Sequence, residues 1–152
     1  GSFKVHKTKN GHKIPQGGIG IYYPQELTED VSDIFNIEPI TNQRSELYAI
    51  YLAITQLSKL YSESEHIIKI YSDSEYSIKC VTQWIKKWKK NNWQTSKGEI
   101  VKNLDIIKPI DELYTHYNVD FTHVYSHTNK QDIQSLCNEK ADILATDGRK
   151  KN

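Results

Sequence analysis

Apolar and polar residues alternate along several short segments of the chain, as they do in strands with one buried face. This alternation predicts strands at residues 19–24, 31–37, 66–72 and 119–125. Residues 1–20 are otherwise polar, basic and rich in glycine, and they predict a loop.

Helical spacing of apolar residues marks most of the remaining chain. The clearest helix covers residues 40–61, where Leu47, Ile50 and Ile54 fall on one face, and Thr41 or Asn42 is its candidate N-cap. Further helices are predicted at 74–80, 81–91, 98–117 and 137–147, with a polar loop at 126–136. Because Pro109 cannot continue a helix that starts at residue 99, we expect a kink there or a helix whose first turn contains it.

Strands followed by alternating helices and strands predict an α/β fold with a mixed sheet. A chain of 152 residues is long enough for one domain with its own core. No apolar run reaches membrane-spanning length and no signal-peptide pattern is present, so we expect an intracellular protein, with its compartment left open. The two cysteines predict reduced, partly buried thiols.

Charge is distributed unevenly although the net charge is only +1. Between Glu75 and Glu99 the chain has no acid but contains six lysines and all three tryptophans. Directly before this segment, Asp73 stands at the end of a predicted strand. An acid at a strand end beside a cationic, aromatic helix indicates a metal site next to a phosphate backbone.

Three acids lie where predicted elements meet: Glu46, Asp73 and Asp142. Clustered carboxylates repel one another unless divalent cations lie between them, and their hard oxygen ligands favour Mg²⁺ or Mn²⁺. Two such ions are a common device for phosphodiester cleavage. Alternatively, each acid taken alone is a surface carboxylate or a helix cap.

Several motifs together resemble cellular ribonuclease H of type 1, which has a basic handle. They are the strand end at 71–73, the tryptophan and lysine run at 84–98, TNQRSE at 41–46, HVYSH…NEKADILA at 123–145 and GGIGIYY at 17–23. The resemblance covers essentially the whole chain. It implies a ribonuclease H-like fold, with helices on both faces of the sheet, and an endonuclease that hydrolyses the RNA strand of RNA/DNA hybrids by two-metal catalysis.

The resemblance also implies roles for individual residues. The catalytic set would be Glu46, Asp73 and Asp142 as metal ligands, with His127 as the loop histidine that assists water activation or product release. Asn42 and Gln43 would contact RNA, whose 2′-hydroxyl distinguishes it from DNA. The DNA-phosphate residues would be Thr41, Thr95 and Asn103. The DNA channel and the handle at 81–92 would comprise Tyr76, Trp84, Trp88, Lys86, Lys87, Lys89 and Lys90. Core packing is the alternative for the tryptophans, as a solvated helix face is for the lysines.

The chain departs from this family at its start. In the family a first carboxylate, at the end of the central first strand, directly precedes a Gly-Ser or similar pair. If Gly1-Ser2 is that pair, the catalytic Asp and its strand precede residue 1, and we expect folding and cleavage only with upstream residues. The domain at 1–152 would then be N-terminally incomplete. The alternative is a Gly-Ser cloning remnant on a truncated, inactive chain.

Two loops also differ from the family pattern. Extra residues around 129–135 separate His127 from Asp142, which puts the histidine role in question and leaves His123 as a weaker substitute. The long first loop, residues 3–16, is basic and either adds duplex contacts or is simply solvated.

Two functions follow from these observations. One is the hybrid-cleaving nuclease, a monomeric domain that stands alone or belongs to a longer chain. The other is a catalytically inactive ribonuclease H-like module that binds nucleic acid or has a structural role.

Overall fold

The computed structural model describes residues 1–7, 9–60, 66–125 and 132–151. The strands are β1 (Ser2–Lys7), β2 (Lys13–Ile21), β3 (Val31–Phe35), β4 (Ile67–Ser72) and β5 (Asn118–His123). The helices are α1 (Asn42–Ser58), α2 (Glu75–Lys79), α3 (Ile85–Lys90), α4 (Leu104–His116) and α5 (Ile133–Arg149), with a π-helical turn at Cys80–Trp84 between α2 and α3. No helix within the described ranges is long and apolar enough to cross a membrane.

The strands form one antiparallel and one parallel group. β1, β2 and β3 pair in that order as an antiparallel sheet, and β4 pairs with β5 in parallel, so that Ile68 lies opposite Val119. Both kinds of pairing expected of a mixed sheet are present, although the described strands lie in two separate sheets. The α/β prediction is therefore confirmed.

Helices cover both faces of β2, as the resemblance implied. On one face Ile19 is buried with Phe35 of β3 and with Leu47 and Ile54 of α1. On the other face Gly18 and Gly20 lie directly against the backbone of α5. Because successive strand residues point to opposite faces, the alternation of glycine and isoleucine in this segment lets one strand contact two helices.

Close backbone approach fixes α5 on the sheet. A Cβ atom at Gly20 would collide with the backbone of Ala141 and Ala145, and one at Gly148 would collide with the backbone of Asp33 in β3. Glycines on both sides of the contact therefore let α5 lie closer to the strands than side chains would permit. Asp142 belongs to the segment of α5 that this packing holds in place.

The loop prediction for residues 1–20 was wrong. β1 and β2 form a hairpin whose paired residues run from Ser2 opposite Gly18 to Lys7 opposite Lys13. Towards its tip the hairpin is exposed, with Val5 and Ile14 at 45% and 47% relative exposure. Strand periodicity depends on one buried face, and this ribbon gives no such signal.

Helix boundaries also required correction. The helix predicted at 98–117 begins only at Leu104, and Pro109 is its sixth residue rather than part of its first turn. The loop predicted at 126–136 ends earlier, since α5 begins at Ile133. The helix predicted at 81–91 is a π-helical turn followed by α3. The strands near 31–37, 66–72 and 119–125 are confirmed, each slightly shorter than predicted.

We expect Gly20→Ala to destabilise the protein by about 1–3 kcal/mol or more, because the added methyl group meets helix backbone that cannot rotate away. Gly11→Ala is the matched control, since nothing lies within 4 Å of its Cβ position and only its φ of +79° opposes the substitution. That control should cost about 1 kcal/mol. Urea unfolding compares the two variants, and equal losses would show that α5 does not depend on this close approach.

Candidate active site and nucleic-acid interface

Asp73 lies at the junction between β4 and α2. It follows Ser72, the last residue of β4, and precedes Ser74, which caps α2 by accepting a hydrogen bond from the Ser77 backbone N–H at 3.1 Å. Ser74 is only 7% exposed. The cap fixes the chain direction immediately after the strand, so Asp73 is held at the carboxyl end of β4.

Glu46 comes from the first turns of α1. Thr41 caps this helix, and its hydroxyl accepts a hydrogen bond from the Arg44 N–H at 3.2 Å. Within the first turn of the helix, the Asn42 amide donates to Oε1 of Glu46, four residues later, at 3.1 Å. The helix thus presents an RNA-contact candidate and a carboxylate candidate side by side.

Glu46 accepts a hydrogen bond from Ser74, the residue directly after Asp73. Burial is the main cause that raises the pKa of Glu46 above its ordinary value, and the negative charge of Asp73 raises it further. Hydrogen bonds from Ser74 and Asn42 oppose this increase. The first and second carboxylates of the predicted set are therefore neighbours.

Helix α5 contacts the Asp73 carboxylate through the side-chain amide of Asn138. Asn138 donates from Nδ2 to Asp73 Oδ2 at 3.3 Å. Asp142 is half-buried one turn later on the same face of α5, because residues four apart are neighbours on a helix. Within the described ranges no group of three or more His, Cys, Asp or Glu side chains is close enough to hold a metal ion together. The structure therefore pairs two of the three predicted carboxylates and brings the helix of the third alongside.

Only one of the two histidine candidates can be located. His127 lies outside the described residues. The His123 ring lies at the end of β5, with Nε2 3.3 Å from the backbone oxygen of Asp73. His123, the alternative to the loop histidine, therefore contacts the site, but it contacts the backbone of Asp73 rather than its carboxylate.

Gly1 packs against the start of α1. A Cβ atom at this position would lie 2.5 Å from Ser45 Oγ and 2.6 Å from Glu46 Cγ. Only glycine fits this contact, which places the root of β1 at the carboxylate pair.

A buried arginine joins the residues predicted to hold a DNA phosphate. Arg44 is 2% exposed, and its guanidinium donates to both carboxylate oxygens of Asp105 at 2.7 and 2.6 Å. It also lies 3.4 Å from Asn103 Oδ1, while its backbone N–H donates to the Thr41 hydroxyl. Arg44 therefore ties the starts of α1 and α4 together, with one candidate phosphate ligand at each.

Asn103 connects this pair to the aromatic residues. Its amide donates to the Tyr76 hydroxyl at 2.9 Å, and burial raises the pKa of Tyr76 to about 12. The ring centroids of Tyr76 and Trp84, and of Trp84 and Trp88, are each 5.9 Å apart. These rings pack against the core, as the core-packing alternative expects. They also remain half-exposed, so part of each ring is accessible to DNA.

The lysines of the handle differ in their partners. Lys86, Lys87 and Lys90 are exposed on α3. Lys89 instead forms an ion pair with Asp111 of α4 at 3.1 Å, where Asp111 is 15% exposed. Lys89 thus anchors the handle, whereas the other three leave their charges towards solvent.

Thr95 lies in the turn that follows the handle. Its hydroxyl accepts a hydrogen bond from the Glu99 N–H at 3.2 Å, so the hydroxyl proton remains available for another acceptor. Trp93, just before it, is half-buried, with Lys108 Nζ 5.4 Å from its ring centroid. The turn thus orients Thr95 and attaches to α4.

Three residues of the site were missed by sequence reasoning. Asn138 and Arg44 belonged to the recognised motifs but received no role, and Ser74 was noted only as a neighbour of Asp73. A buried arginine within a polar helix start was the one available signal, since buried cations require partners. The partners themselves are distant in sequence and only the fold reveals them.

Comparison with known proteins identifies similar chains. A family profile described as RNase H matches residues 9–150. A probable ribonuclease H of Acanthamoeba polyphaga mimivirus is 37% identical over 93% of this chain and 62% of its own length. A ribonuclease H of Schizosaccharomyces pombe is 36% identical over 92% of this chain and 48% of its own length. The chain thus spans about half to three-fifths of these two curated relatives.

Solved structures agree on the fold. The RNase H domain of prototype foamy virus, solved in solution, has a TM-score of 0.68 at 22% identity and covers 97% of this chain and 90% of that domain. A foamy viral protease-reverse transcriptase in complex with an RNA/DNA hybrid has a TM-score of 0.72 at 20% identity, and covers 97% of this chain and 19% of that protein.

We expect Asp105→Asn to destabilise the protein by about 1–3 kcal/mol, because the buried Arg44 guanidinium loses its charged acceptor. Asp111→Asn in the same helix is the control. It should cost about 0.2–1 kcal/mol, since Lys89 is 49% exposed and can be hydrated. Urea unfolding of both variants measures the difference. Losses within about 0.5 kcal/mol of each other would refute the assignment of Arg44 as the tie between α1 and α4.

Proposed function

Because the chain belongs to the ribonuclease H family, we propose that it is a metal-dependent endonuclease that hydrolyses the RNA strand of RNA/DNA hybrids. One observation carries the proposal: Glu46 and Asp73 are neighbours at the end of β4, and amides from two different helices hydrogen-bond to them. The foamy viral protease-reverse transcriptase, which shares the fold, was solved in complex with an RNA/DNA hybrid, and this supports the choice of substrate.

The carboxylate pair fits a divalent cation. Two neighbouring carboxylates, one with a raised pKa, are stabilised by a positive ion, and their oxygens suit Mg²⁺ or Mn²⁺. Glu46 and Asp73 would hold the ion, with Asp142 as the third ligand from α5. When bound, the ion supplies charge neutralisation and activation of water.

On the RNA side the chain positions the strand to be cut. Asn42 and Gln43 are exposed at the start of α1, and Asn42 already contacts Glu46. An amide at this place can donate to or accept from a ribose 2′-hydroxyl. Recognition of RNA and cleavage would therefore be coupled through one helical turn.

On the DNA side neutral donors would hold the phosphate and aromatic rings would contact the sugars. Thr41 and Asn103 lie at the two helix starts joined by Arg44, and helix N-termini favour anions. Arg44 itself is neutralised by Asp105, so it orients the donors rather than binding phosphate. The row of Tyr76, Trp84 and Trp88 would continue the track towards the exposed lysines of α3.

A second candidate function is binding to nucleic acid without catalysis. It is favoured by the observation that no three metal-ligating side chains of the described residues cluster. The two functions share the interface and differ only at the carboxylates.

Cleavage of a labelled RNA/DNA hybrid in Mg²⁺ distinguishes them. We expect Asp73→Asn to reduce the cleavage rate at least about a hundredfold, or about 2.7 kcal/mol, with hybrid binding retained. Asp120→Asn, an equal change at an exposed position of β5, should leave the rate unchanged. Binding without cleavage by the unsubstituted full-length protein would favour the second function, and equal rates for the two variants would refute the role of Asp73.

A further inference from the structure

The outer part of the β1–β2 hairpin is a ribbon with both faces exposed. Nearer its root, the side of Gly17 meets Phe35 and Ile40, and the side of Gly18 meets α5. Every residue at 4–15 whose exposure the structure describes is exposed. We call residues 4–15 the hairpin arm.

The arm is cationic and lacks compensating charge. Its lysines with described exposure are Lys4, Lys9 and Lys13, and Lys7 adds a fourth in the sequence. The first acid of the chain is Glu26. Within the described ranges, Lys4, Lys9 and Lys13 form no ion pair, unlike Lys89 of the handle. The arm therefore presents uncompensated positive charge to solvent.

The arm begins at the candidate active site. Its strand starts beside Gly1, which packs on Ser45 and Glu46, and Asn42 contacts the same glutamate. From Ser2 to Lys7 the strand extends roughly 17 Å at about 3.3 Å per residue. That distance covers several base-pair steps of a duplex. The handle lies on a different part of the chain, beyond α2.

We propose that the hairpin arm is a second basic arm that binds backbone phosphates of the hybrid several base pairs from the carboxylates, on the side of Asn42 and Gln43. The inference rests on the proposed function. It extends the surface that binds the hybrid, so that the handle and the hairpin arm form its two cationic ends. A two-stranded ribbon suits the wide, shallow minor groove of an A-form duplex, where shape and backbone rather than base edges are recognised.

A competing explanation comes from the position of β1 at the edge of its sheet. Lysines on edge strands prevent sheets of two molecules from pairing. This explanation predicts that removal of the charges changes the association state and leaves hybrid binding unchanged.

The test compares two triple substitutions with the same change in charge. Lys4→Gln/Lys9→Gln/Lys13→Gln alters the arm, and Lys59→Gln/Lys69→Gln/Lys150→Gln alters exposed lysines that follow α1, lie on β4 and follow α5. Both are made with Asp73→Asn to prevent cleavage. Fluorescence anisotropy then measures affinity for a labelled hybrid between about 50 and 200 mM salt.

We expect the arm variant to reduce the slope of log affinity against log salt by about 2–3, since each phosphate contact contributes about 0.9. The control triple should change the slope by less than about 1. Shortening the hybrid at one end, but not at the other, should abolish the difference between the variants.

The outcomes separate the two proposals. Equal slopes for the two triple variants would overturn the proposed role of the arm, and so would a changed sedimentation coefficient of the arm variant with an unchanged slope. Neither result would affect the proposal of hybrid cleavage. Absence of hybrid binding by the protein without lysine substitutions would overturn the proposed function and, with it, the arm.

Discussion

The half-buried carboxyl of Glu46 lies beside Asp73, and this is an unfavourable arrangement that the surrounding elements must maintain. Burial and a like charge both raise the pKa of Glu46. A raised pKa means that the stability associated with Glu46 is present at pH values below its unfolded pKa and is lost as the pH rises through its folded pKa. Ionisation of Glu46 therefore costs the fold stability, and pKa values perturbed in this way cluster at functional sites.

Each element that maintains this pair has its own physical device. α1 is started by the Thr41 cap and tied to α4 by Arg44 and Asp105. β4 is ended by the Ser74 cap of α2. α5 reaches the site because Gly18 and Gly20 of β2 leave room for its backbone. The same ties extend outward through Asn103 to the row of Tyr76, Trp84 and Trp88, so the carboxylates and the proposed DNA track form one connected structure.

Elements with one buried face could be predicted from the sequence, and elements without one could not. The apolar face of α1 and the alternation of β4 were evident because Ile50, Ile54 and Ile68 are buried. The hairpin arm was missed because both of its faces are exposed. The start of α4 was misplaced because Leu104 follows Asn103, whose left-handed φ of 66° ends the preceding turn, and no sequence pattern indicated this.

The candidate site divides in the same way. Glu46 and Asp73 were identified through motifs, and the structure brings them together. The hydrogen bond from Asn138 to Asp73 and the tie from Arg44 to Asp105 join residues 65 and 61 positions apart, which local patterns cannot reveal.

The measurement that tests the carboxylate pair most directly is the pH titration of the Glu46 side-chain carboxyl by carbon NMR. We expect a pKa above the ordinary 4.5 in the unmodified protein, a lower pKa in Asp73→Asn, and a lower pKa when Mg²⁺ is added. A midpoint at or below 4.5 that neither the substitution nor Mg²⁺ changes would contradict it.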